Sequence, residues 1–64
     1  MMTIADWKNA KATGNTRVTF VSILGEARRH ATIKSVAATG VRVKFLDTGN
    51  VERVHPDDLR PGWV

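Results

Sequence analysis

Two histidines, His30 and His55, with a handful of carboxylates and hydroxyls, are the residues of this 64-residue chain whose types suit catalysis. There is no cysteine, and no carboxylate stands at ligand spacing from either histidine. The roughly four N, S or O donors of a zinc site therefore cannot be assembled. Ser22 and Ser35 fall inside extended segments, and no Ser-His-Asp arrangement is legible. Asp57 and Asp58 are adjacent, which does not make two carboxylates face each other. After Pro56 they read as first-turn carboxylates favoured by a helix dipole. Gly25, Gly40 and Gly49 mark separate turns and make no phosphate-cradling loop. These residues predict a protein that is not an enzyme and carries no metal or cofactor.

Anion binding is the other chemistry the side chains offer. Ten Lys and Arg against six Asp and Glu give a formal charge of +4, a balance that favours anionic partners, nucleic acid first. Val41, Val43 and Phe45 alternate with Arg42 and Lys44, the signature of a half-buried strand. If Ile33 pairs with Val43, then Lys34 faces Arg42 and Thr32 faces Lys44. His30 lies just beyond them, Arg53 on the next strand extends the row, and Arg28 and Arg29 widen it at the rim. Like charges directly opposite on a sheet cost a few tenths of a kcal/mol, roughly, unless an anion occupies the face. Phosphates fit, because each one neutralised releases counterions. The plain alternative is a solvated strand face whose long stems cover apolar surface and discourage edge pairing. No recognition helix is visible and aromatics are scarce, so contact with RNA or DNA backbone at low sequence specificity is expected. An apolar surplus at Val21, Ile23, Leu46 and Trp63 gives the rival: a small protein-interaction or inhibitory adaptor of the phage or plasmid type, with self-association as a further option.

The elements that must position these residues are short. Met1 to Thr13 predicts a helix with Thr3 as N-cap and Asp6 closing a capping box. Ile4, Trp7 and Ala10 share its apolar face, and Gly14 with Asn15 stops it. Trp7 is expected to cover an open end of the fold, or alternatively to stand exposed for stacking. Strands are predicted over Arg17 to Leu24, Ala27 to Val36, Gly40 to Phe45 and Val51 to His55. A helical turn over Asp57 to Arg60 should drop Leu59 back onto the sheet. Asp47-Thr48-Gly49-Asn50 is a turn cluster. One domain fills residues 1–64, with the helix in 1–14 and a barrel in 17–64. So short a chain buries only about 60% of its unfolded surface, and its core must be thin. The lack of cysteine and of any signal-like or spanning segment points to a cytoplasmic setting.

From Val43 to Val54, with Leu59 and Arg60 following, the sequence resembles the Tudor family of SH3-like barrels. Ala31 to Val36 is similar to that family's preceding strand. The resemblance covers roughly Gly25 to Arg60 and implies an all-β fold: a small SH3-like barrel of four to five short antiparallel strands. It does not carry over the aromatic cage of methyl-cation readers, since Thr48 stands at the turn aromatic and Arg29-His30 at a common Trp-Tyr pair. The capped helix leading into Val18-Thr19-Phe20-Val21 also resembles the bacterial Sm-like family, which implies an RNA-binding ring. That family's terminal Lys-His pair is absent, and the Tudor-like resemblance ranks first. Asp47-Thr48-Gly49 matches the triplet of retropepsin-type proteases, but those need two copies and far more chain.

Overall fold

The computed structural model describes residues 3–21 and 28–64. Helix α1 spans Ile4–Ala12. The Asp6 N–H donates to Thr3 Oγ1 at 3.2 Å, and the Thr3 N–H donates to the Asp6 carboxylate at 2.9 Å, which is the reciprocal capping box expected from the spacing. Donation from the Thr3 backbone, followed by the Thr3 hydroxyl, holds the Asp6 carboxyl below its ordinary value. Gly14 at φ +85° ends the helix, and the Asn15 N–H reaches back to the Ala10 carbonyl at 2.8 Å.

Five strands follow: β1 Arg17–Val21, β2 Arg28–Ala37, β3 Gly40–Phe45, β4 Val51–Val54 and β5 Leu59–Pro61. They form one antiparallel sheet in the order β4-β3-β2-β1-β5. Among the described residues nothing pairs β4 with β5, so the sheet is open and the closed barrel expected from the sequence is not formed. Both edge strands are short. The three residues of β5 are already paired to β1 and end in Pro61, which has no N–H to offer a second neighbour. A single 3-10 turn, Pro56–Asp58, carries the chain between these edges, capped by His55, whose Nδ1 accepts the Asp57 N–H at 3.1 Å.

One face of the sheet is dry. Val18, Ala31, Ile33, Val41, Val43, Phe45 and Leu59 are buried there, and α1 packs across β2 and β3 to add Trp7. Phe20 meets Phe45 edge to face, with centroids 5.6 Å apart. The alternation of β3 holds: Val41, Val43 and Phe45 are buried while Arg42 and Lys44 are exposed between them. Trp7 is 1% exposed, which excludes the stacking role considered for it, and its Nε1 has no acceptor among the described residues.

The register holds at Ile33–Val43 and Thr32–Lys44, then shifts. Ser35, not Lys34, stands opposite Arg42, and Lys34 is the extra residue of a bulge. The cause lies in the sequence. Ile33 and Val36 both pack on the core but are three residues apart, an odd spacing that strict alternation cannot accommodate. The β3–β4 turn uses Asp47-Thr48-Gly49-Asn50 as turn residues only: the Gly49 N–H bonds the Phe45 carbonyl at 2.8 Å, with Gly49 at φ +74°. Among the described residues no helix is long and apolar enough to cross a membrane.

Total stability for a domain of this size is about 3–10 kcal/mol. Trp7→Ala removes about 3–5 kcal/mol and should abolish the cooperative thermal melt seen by circular dichroism, whereas Trp7→Phe should keep a melt at lower temperature. A sharp, little-shifted melt for the alanine variant would place the core elsewhere.

Candidate functional site

The other face of the sheet carries the cations. Cross-strand pairing sets its side chains in rows. Arg42 stands directly opposite Arg53 of β4, with Ser35 and the bulged Lys34 of β2 on its other side. The next row runs Arg17, Thr32, Lys44 and Val51. Beyond it come Arg60, Thr19 and His30, then Leu46, whose N–H bonds the His30 carbonyl at 3.0 Å. Val21 and Arg28 close the series.

Several of these groups are held in place. The stem of Arg53 lies over Gly40, where a Cβ would come within 3.0 Å of both Arg53 Cγ and the Val54 carbonyl. Its guanidinium donates to Thr39 Oγ1 at 3.4 Å. Arg60 donates to the carbonyls of Asp57 and Leu59 at 2.7 and 3.0 Å. Thr19 is fully buried although it points to this side, because the tail after β5 folds across it. Its hydroxyl donates to the Gly62 carbonyl at 2.8 Å and accepts the Val64 N–H at 3.0 Å. Trp63 is thereby laid on the face, its Nε1 donating to the Ala31 carbonyl at 3.0 Å. His30 stacks near-parallel to it at 5.6 Å and 16°, and the Arg17 guanidinium sits 4.7 Å from its ring centre.

Carboxylates are elsewhere. Glu52 is the one acid of the described strands, and it pairs with Val43 on the core side. Among the described residues the carboxylate contacts within ion-pair distance are Arg29–Asp47 and His55–Asp57. The latter, at 3.7 Å, involves the nitrogen that already accepts the Asp57 N–H and so is proximity rather than an ion pair. The cations of the outer face therefore have no internal counter-ion among the described residues. No group of three or more His, Asp or Glu side chains there could hold a metal ion.

The expected site residues divide accordingly. Arg28, His30, Lys34, Arg42, Lys44 and Arg53 share this face, with Lys34 displaced by the bulge. Arg29 does not belong to it. It pairs with Phe20 on the core side, lies 3.8 Å above the Phe45 ring, and grips Asp47 with two bonds of 3.0 and 3.1 Å. Strand parity separates it from its neighbour Arg28. Of the apolar residues proposed as a separate surface, Val21, Leu46 and Trp63 lie on this same face. Ile23 lies outside the described residues. Arg17, Arg60 and the half-exposed Val51 were missed. Arg17 was readable from its alternation with Val18, but Arg60 needed the β1–β5 pairing. An open cleft between the end of α1 and β5, lined by Trp7 and by Gly14 to Arg17, contains none of the expected site residues.

The Arg29 hydrogen bonds hold the Asp47 carboxyl below its ordinary value, and Asp47 in turn raises the guanidinium. A depressed carboxylate contributes stability that is present above its unfolded pKa and is lost as pH falls through the folded one. The pair is solvent-screened, so the contribution is small. Arg29→Met should lower the urea midpoint at neutral pH and narrow its change on acidification below about pH 4. An unaltered pH profile in this variant would show that the pair contributes nothing.

Comparison of the chain with protein families, with curated proteins and with solved structures found no match.

Proposed function

We propose that this chain is a non-catalytic binding module that holds RNA or DNA by its phosphate backbone through the outer face of the sheet. One observation carries the reading: Lys34, Arg42, Lys44 and Arg53 stand in adjoining rows without a carboxylate among them. In a domain with little stability to spare, such a face favours an external anion. Affinity would rest on charge and be weakly specific for sequence, because among the described residues no element presents a set of base-reading side chains. We read the open sheet as a relative of the small SH3-like barrels. The strand order, with β1 between β2 and β5, and the 3-10 turn into the last strand support that reading. The Tudor-like and Sm-like alternatives within it rest on the sequence resemblance. A cytoplasmic location fits a chain without cysteine.

The exposed apolar groups favour one second reading. Leu46 and Val51 are 50% and 49% exposed on this face, which suits a protein partner, as in the adaptor function, or a second copy of the chain.

Each cation that neutralises a phosphate contributes about −0.7 to −0.9 to the slope of log affinity against log salt. Lys34→Glu with Arg42→Glu should therefore weaken binding to a random labelled oligonucleotide and flatten that slope by roughly 1.4 to 1.8, read by anisotropy across a salt series. Unchanged affinity and slope would remove the phosphate reading and leave the adaptor. Sedimentation of the same samples reports self-association: five or more copies would favour the Sm-like ring.

A further inference from the structure

We infer that the nucleic acid taken by this face is single-stranded, with a base stacking onto the Trp63–His30 pair while Arg42, Lys44 and Arg53 hold the phosphates. The inference rests on the phosphate-binding reading and narrows it to one class of ligand.

Trp63 is a large aromatic left 40% exposed, yet it is not loose. Its indole N–H is fixed to the Ala31 carbonyl, and the residues on either side of it are fixed to the buried Thr19 hydroxyl. An immobilised ring has already lost the rotamer freedom that binding would otherwise cost. The ring also gathers flat partners, with Arg17 over it and His30 parallel to it. His30 is exposed, so the stack has an end that a further planar group can extend. A nucleobase has that shape, and every base presents a π-face irrespective of sequence.

Position supports the same conclusion. The stack sits beside the Arg17–Thr32–Lys44 row, and the Arg42–Arg53 row lies two residues further along β3, about 7 Å away. A strand crossing the face from the stack toward Arg53 meets an aromatic first and then cations. In a duplex the bases are paired inward and stacked on each other, and a tryptophan lying on a sheet surface has no base face to meet.

Titration of the intact chain with an oligothymidine of about ten nucleotides, beside a duplex of matched length, tests this. Trp7 is buried, so quenching of emission on binding reports Trp63. We expect tighter binding of the single strand, with quenching. Trp63→Leu should lose about 5- to 150-fold in single-strand affinity, with the salt slope and duplex affinity unchanged. Trp63→Phe keeps a ring without the Nε1–H and should retain most of the preference. If the phenylalanine variant lost as much as the leucine variant while both melted normally, Trp63 would be only an anchor for the tail. Salt-dependent binding that is equal for both ligands and leaves the emission unchanged would overturn the single-strand assignment but not the phosphate reading. Binding of neither ligand would overturn both.

Discussion

Trp7 reaches from α1 onto the side of the sheet that holds Val18, Ile33, Val43 and Phe45, and only 1% of its surface is left to solvent. One side of the sheet is thereby dry and the other is not. Because strand side chains alternate strictly, this single act of burial settles the environment of every second residue. Val41, Val43 and Phe45 go under the helix, so Arg42 and Lys44 must go to water. A slip of one residue would exchange the two sets and bury cations without partners, at a cost far above what a domain of this size can tolerate. Register is consequently well specified even though the core is thin.

The bulge at Lys34 and the tail over Thr19 follow from the same constraint. Ile33 and Val36 cannot both reach the core unless one residue is set aside, and Lys34 is that residue. It goes to the wet side, where a long cationic stem is tolerated. Thr19 presents the inverse problem: a polar residue on the wet side that is nevertheless buried. Its hydroxyl gains both a donor and an acceptor from the tail, which removes the cost of desolvation. That local solution is what carries Trp63 to Arg17 and His30.

Periodicity made much of this legible. The helix with its cap, the inward set of β3, the Ile33–Val43 pairing and the exposure of Arg42 and Lys44 all follow from spacing within one or two segments. Closure of the sheet did not, because it depends on whether β5 has strand to spare after pairing with β1. Arg29 was misplaced although the alternation that sets Ala31 and Ile33 inward and His30 and Thr32 outward already turns it to the core side. Once Ala31 and Ile33 are core residues, Arg29 must share their side, and Asp47 at the end of β3 is there to receive it. Trp63 was visible as a large aromatic near the end of the chain. Its resting place was not, since that depends on a hydroxyl 44 positions earlier and a carbonyl of β2.

The division of charge between the two sides supplies the last step. Arg28 and Arg29 are adjacent in sequence and identical in chemistry, yet one lies on the outer face and the other is gripped by a carboxylate. Glu52 is next to Arg53 in sequence, but pairing with Val43 turns it to the side where Arg29 lies, close enough for its charge to raise that guanidinium. The acids of the described β-hairpin thus gather around one arginine at the edge of the core and leave the wet face to its cations. Neutralisation for stability alone would have spread them, since Arg42 and Arg53 face each other and a glutamate at either position would relieve the repulsion. An arrangement that concentrates acid on one side and tolerates an opposed arginine pair on the other keeps a positive surface in place at a small cost in stability, which is the property a phosphate-binding face requires.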